Sequence, residues 1–143
     1  MDAETQLFAY GSLMFQEVWW HVVGRELNAQ PATLSGHQVY TVAGYSFPGL
    51  VESEPADQVE GLLISNITTP EWARLDAFED SFYLRQAVTV EVAGGETAEA
   101  STYLVPAGRR SVLSDRRWDR ERFEQEHLAA FVDRICGFEP DVR

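Results

Sequence analysis

The spacing of apolar residues along this chain switches between a strand period and a helix period, and each switch marks an element. QLFAY, residues 6–10, is almost continuously apolar, which is the pattern of a buried first strand. From Met14 to Val23 (MFQEVWWHVV) the period becomes helical. Met14, Val18, Trp19 and Val22 share a face, Trp19 and Trp20 are expected to pack the helix, and Gly24 is its stop. HQVYTVAGYSF, 37–47, is strand-like, and Pro48-Gly49 is expected to turn it. ESEPADQ, 52–58, reads as an acidic exposed loop. VEGLLISNI, 59–67, is strand again, with Gly61 marking a bulge or a close approach of backbone.

TTPEWARLDAFED, 68–80, carries a helix start: Thr69 suits the N-cap, Pro70 the first helical position and Glu71 the positive end of the dipole. Trp72, Leu75 and Phe78 or Glu79 then share one face. YLRQAVTVEV, 83–92, alternates, with Leu84, Val88, Val90 and Val92 directed at the core and Arg85, Thr89 and Glu91 opposite. Gly94-Gly95 turns the chain, and EASTYLV, 99–105, returns as the hairpin partner. One longer helix closes the sequence. Asp119 is its N-cap, Trp118 and Phe123 form a staple, and Gly137 is its stop. Phe123, His127, Phe131 and Ile135 recur on its apolar face, which makes His127 a core or boundary residue. Strands outnumber helices and connect through short segments. The expected class is α+β, a mixed, mainly antiparallel sheet or barrel with helices outside.

Composition narrows the chemistry. The 143 residues suit one domain, 1–143, with a core over about 6–105 and a helical extension over about 115–137. No apolar run approaches a membrane span, and MDAETQ is acidic where a signal peptide is basic, so a cytoplasmic protein is expected. The single cysteine, Cys136, excludes an internal disulfide and CxxC motifs, and reads as a buried structural thiol. Three scattered histidines offer no zinc spacing. Net charge is −12, which argues against nucleic acid or an anionic membrane as partner. All eleven basic residues are arginine, so lysine chemistry is excluded. The charge excess lies in residues 1–108, whereas 109–143 are neutral. That tail reads either as an arginine-rich helix packed on an acidic body or as a self-neutralised solvated helix.

Two segments carry candidate chemistry. A strand ending at Tyr10 and a helix starting near Met14 leave the N–H groups of Gly11, Ser12 and Leu13 without helical partners. A carboxylate or oxyanion would be stabilised there; an ordinary capped turn has the same letters. Ser12 is not the nucleophile of a GxSxG elbow, because Met14 stands where glycine is required. The second segment is LDAFED, 75–80. Asp76, Glu79 and Asp80 crowd one helix end whose dipole disfavours ionised acids, and Glu79 is the one on the apolar face. Those influences suit a general base; an exposed acidic helix end with Arg85 or Arg74 as counter-ion is the other reading. Tyr83 and Tyr103, on neighbouring strands, either line a pocket through their hydroxyls or are half-buried sheet residues.

FAYGSL near the start, FPGLV at 47–51, VEGLLISNIT at 59–68, LDAFEDSFYLR at 75–85 and TYLV at 102–105 together resemble the gamma-glutamylcyclotransferase-like family, including its avirulence-induced plant members. WDRERFEQEHLAAFV, 118–132, is similar to the C-terminal helix of the plant type. The resemblance implies a small β-barrel flanked by helices, with a pocket between the YGSL turn and the glutamate of the FE motif. It implies Glu79 as acid/base, the backbone of Tyr10, Gly11, Ser12 and Leu13 as the binder of a glutamyl group, and no metal or organic cofactor. Asp80 stands where many members carry glycine. The implied partner is a small-molecule γ-glutamyl amide, cyclised to 5-oxoproline. A non-catalytic carboxylate-binding module and an interaction protein built on the arginine-rich helix are the competing readings. The leaving amine and the oligomeric state are left open.

Overall fold

The computed structural model of the chain describes residues 4–79 and 81–135. Asp80, Cys136 and Gly137, on which three of the expectations above fall, lie outside the described residues.

Among the described residues, eight strands form one sheet: β1 (Leu7–Ala9), β2 (Ala29–Ser35), β3 (His37–Val42), β4 (Pro48–Glu52), β5 (Gln58–Ile64), β6 (Leu84–Val92), β7 (Thr97–Leu104) and β8 (Leu113–Arg117). Their order is β1-β5-β2-β6-β7-β4-β3-β8, and β1 also pairs with β7. That additional pairing closes β1, β5, β2, β6 and β7 into a barrel, and β4, β3 and β8 extend from β7 as a flap. All pairings are antiparallel except β1–β7 and β4–β7. The mixed, mainly antiparallel α+β barrel expected from the sequence is present.

Closure demands close backbone contact at Gly61, where a Cβ would stand 2.4 Å from the Ala9 carbonyl oxygen. The sequence reading of a close approach there is correct. One core fills the barrel, with Phe8, Leu34, Leu50, Leu63 and Val90 among its buried residues. A second lies between the barrel and the helices and contains Leu7, Trp19, Ile64, Leu75 and Phe123.

The helices are α1 (Gln16–Val23), α2 (Thr69–Phe78), α3 (Arg120–Glu126) and α4 (Leu128–Ile135). Helix α1 follows a 3-10 turn at Ser12–Met14 and ends on Gly24, whose φ of 88° is the left-handed conformation that glycine adopts freely. Trp19 is buried, but Trp20 is 51% exposed and does not pack the helix. The N-cap of α2 is Thr68, one residue before the expected Thr69. It forms a full capping box with Glu71, whose carboxylate also accepts from Arg25 Nε at 2.6 Å.

Several other expectations are corrected. Pro48-Gly49 does not turn the chain: the turn is at Ala43–Phe47, and Pro48 opens β4, a strand's first position being one that tolerates proline. Leu84 is 48% exposed, because β6 meets β2 only at Glu91 and Val92 and the core reaches only that end of the strand. The closing helix is two helices kinked at His127 (φ −128°, ψ −21°). Backbone bonds from His127 N–H to the Phe123 carbonyl and from Phe131 N–H to the His127 carbonyl run through the kink. The kink turns the His127 side chain to solvent, so it is not a core residue. The arginines of 109–117 are not helical in the expected sense: Arg109 and Arg110 sit in a 3-10 segment, and Arg116 and Arg117 on the edge strand β8. Asp119 caps α3 by accepting from Arg122 N–H, and Trp118 packs on Phe123 as expected.

Candidate active site

Strand β1 delivers the chain to Tyr10 inside the barrel wall, and the backbone then turns at once. Gly11 N-caps the 3-10 turn, and the turn's first hydrogen bond runs from Met14 N–H to the Gly11 carbonyl at 3.0 Å. A turn of this kind uses neither the Ser12 nor the Leu13 N–H internally. Position 11 admits only glycine in this geometry, since a Cβ there would lie 2.7 Å from Pro48 Cγ.

The turn forms one wall of a cavity of about 290 Å³. Tyr10 to Leu13 line it together with Phe47 and Pro48, Tyr83, Tyr103, Phe78 and Glu79, and with Phe131, Arg134 and Ile135 of α4. Every residue singled out for the site from the sequence therefore lines one cavity. Glu79 reaches it because α2 ends there. Its N–H still donates to the Leu75 carbonyl at 3.1 Å, but its own backbone is extended (φ −75°, ψ 145°), so the side chain leaves the helix at its C-terminus and is half-buried.

Three tyrosines brace the cavity. Tyr10 Oη donates to the Tyr103 carbonyl at 2.6 Å and accepts from Leu50 N–H at 3.3 Å, joining β1 to β7 and β4. Tyr103 Oη donates to Asp76 Oδ1 at 2.6 Å, and Asp76 Oδ2 is paired with Arg85 at 3.2 Å. Tyr83 Oη donates to the Pro48 carbonyl. Tyr83 itself lies one residue before β6, not within it.

Burial first, and then the charge of Glu79, push the Tyr10 hydroxyl well above its ordinary range. Tyr103 moves the same way, through burial, its hydrogen bond to Asp76 and the charges of Asp76 and Glu79. Both phenols stay protonated at neutral pH and serve as donors. Glu79 is then the carboxylate through which the described lining residues can accept a proton.

The sequence groups Asp76 with Glu79 and Asp80 at one helix end. The structure gives it a bracing task, holding Tyr103 and tying Arg85, whose guanidinium lies 4.5 Å over the Trp72 ring. The wall from α4 was missed. The spacing of its Phe131 and Ile135 predicts an apolar helix face, and nothing in that spacing says that the core they join has a cavity in it. The wall at Phe47-Pro48 did have a signal, the FPGLV stretch.

The closed five-strand barrel with its parallel β1–β7 pair and outer helices is the gamma-glutamyl cyclotransferase-like fold. Residues 7–120 match the family described as "Gamma-glutamyl cyclotransferase, AIG2-like", and the chain belongs to that family. It is 30% identical over 138 residues to AIG2-like protein D of Arabidopsis thaliana, a match covering 95% of this chain and 90% of that protein. Among solved structures, a solution structure of an Arabidopsis thaliana protein superposes with a TM-score of 0.69 at 25% identity, covering 92% of this chain and 79% of that one. A structure titled "Gamma-glutamyl cyclotransferase" has a TM-score of 0.59 over 97% of this chain and 90% of its own, at 17% identity, a likeness of fold. Among the described residues, no helix is long and apolar enough to cross a membrane.

Proposed function

We propose that this chain cyclises γ-glutamyl amides to 5-oxoproline by intramolecular aminolysis. The observation that carries the reading is that Glu79 and the Tyr10–Leu13 turn line the same small cavity. The unused N–H groups of the turn hold the substrate's α-carboxylate, which fixes the glutamyl portion. Glu79 takes a proton from the α-ammonium. The freed amine attacks its own γ-carbonyl carbon, the five-membered ring closes, and the tetrahedral centre collapses with cleavage of the γ-amide C–N bond. Glu79 returns that proton to the departing nitrogen and relays to it the second proton shed by the ring nitrogen, so the lactam keeps one N–H, the leaving group departs as an ammonium, and the enzyme ends as it began.

Nucleophile and electrophile belong to one molecule, so holding the folded conformer supplies much of the rate. The reaction as written uses no metal and no organic cofactor. The proton shuttle is the part that belongs to Glu79, worth roughly 10²–10⁴-fold.

The test is 5-oxoproline release from a panel of γ-glutamyl amino acids and amines, run on the wild type and on Glu79→Gln. Glutamine keeps the shape and cannot take the proton. The expected result is turnover by the wild type and a fall of at least about 10²-fold in the variant, with 5-oxoproline binding retained. Undiminished turnover in Glu79→Gln would remove the mechanism. Binding of 5-oxoproline with no turnover of any panel member would make the chain a binding module.

A further inference from the structure

A second hollow of about 710 Å³ adjoins the candidate site, and Tyr45 and Arg134 line both. Its charge is opposite to that of the molecule. Among the described residues, Arg116, Arg117, Arg122 and Arg134 line it against one carboxylate, Asp119, on a chain whose net charge is −12. Asp119 is committed to capping α3. Arg122 is paired with Glu126 at 3.3 Å, and the charge of Arg117 acts on Asp57. Arg116 and Arg134 make no ion pair among the described residues. The Arg134 guanidinium instead rests 5.5 Å over the Phe131 ring, at the junction of the two hollows. A cationic groove that opens from an otherwise mostly apolar cavity attracts and orients anions.

The inner cavity, at about 290 Å³, falls at the small end of the ~300–1,000 Å³ range of ligand pockets. It suits a glutamyl group and leaves the rest of a larger substrate to project past Arg134. Resting on the cyclisation reading above, we propose that the arginine groove receives the leaving amine and selects amines that carry two anionic groups, with Arg134 nearest the scissile amide and Arg116 further out. Carboxylates and phosphates share the chemistry that guanidinium forks recognise. Aliphatic amines and cationic amines do not.

The experiment compares four conjugates with the same γ-glutamyl end: those of glutamate, phosphoserine, alanine and propylamine. Release of 5-oxoproline is followed on the wild type, Arg134→Gln and Arg116→Gln. The wild type is expected to favour the glutamate or phosphoserine conjugate over the propylamine conjugate by at least roughly tenfold in kcat/KM. Whichever of the two leads identifies the anion. Each glutamine variant is expected to shrink that ratio, and raised salt to shrink it further, since the groove is open to solvent. A structural defect would lower all four rates together and leave the ratio where it was. An unmoved ratio in both variants, or an alanine or propylamine conjugate turned over as well as the glutamate and phosphoserine ones, overturns the groove's role while cyclisation stands. No 5-oxoproline from any conjugate removes the cyclisation reading and the groove proposal with it.

Discussion

Replacing Tyr10 by phenylalanine tests whether the site's first wall is held as described. The hydroxyl is buried, and it does two things at once. It donates to the Tyr103 carbonyl at 2.6 Å and accepts from the N–H of fully buried Leu50 at 3.3 Å. Phenylalanine fills the same space but strands both backbone groups away from water. A stranded buried donor or acceptor costs about 1–3 kcal/mol. The carbonyl has a second lone pair for its strand neighbour, and the Leu50 bond is long, so both losses fall toward the low end. The sum is about 2 kcal/mol. Urea unfolding should then show a midpoint lower by roughly 1 M with an unchanged slope. Tm should fall by about 7 °C. A loss below about 0.5 kcal/mol at constant slope would refute the bridge from β1 to β7 and β4, because a surface hydroxyl behaves that way and a buried two-way one does not.

Gly11→Ala should push the turn off Pro48, since its Cβ would stand 2.7 Å from a ring whose residue also anchors Tyr83 through its carbonyl. Destabilisation of about 1–3 kcal/mol by thermal unfolding and weakened 5-oxoproline binding by calorimetry are expected, and an unchanged affinity would contradict the close contact. Glu71→Gln should alter the acid limb of stability. Burial works against the Glu71 charge, but the Arg25 and Thr68 hydrogen bonds and the Arg25 charge outweigh it and hold the carboxyl below its ordinary 4.5. A lowered folded-state value means stability that is complete above 4.5 and lost as pH falls through the folded value. The gap between wild type and Glu71→Gln in urea titrations should therefore be widest above that pH and close below it. A gap constant with pH would deny the carboxylate this role.

Much of the barrel was legible because its strands are apolar or alternate cleanly. Nothing in the pattern marks β2, β4 and β8 as strands, for physical reasons: β4 opens on Pro48-Gly49, letters that also spell a turn. AQPATLS has a proline at 31 and buries only Ala32 and Leu34. Proline is tolerated there because β6 joins β2 only at Ala32 and Thr33, leaving Pro31 on an open stretch of that side. LSDRR is a charged edge strand, which keeps an exposed sheet edge from recruiting another chain and hides it from any hydrophobic pattern. The site was legible through two local signatures, a turn after a buried strand and an acid at a helix end. What joins them is not local. Asp76 bonds Tyr103 across 27 positions and Tyr10 bonds Tyr103 across 93, and no period in the sequence encodes such pairs.

One strand explains why distant segments meet here. β7 has three neighbours: β6 along its length, β1 in parallel at Ser101, and β4 in parallel at Leu104. A strand with ladder partners on two sides usually stops there; β7 takes its third by splitting one side between β1 and β4. Where those two part, Tyr10 spans the gap with its hydroxyl, and the cavity opens beside it. The barrel thus contributes backbone donors and protonated phenols to the cavity. The charges arrive from outside it, on helix ends: Glu79 from the C-terminus of α2 and Arg134 from the last turn of α4. A division of this kind allows the charges that line the cavity to change independently of the scaffold, because a helix end can be rebuilt without breaking a strand ladder.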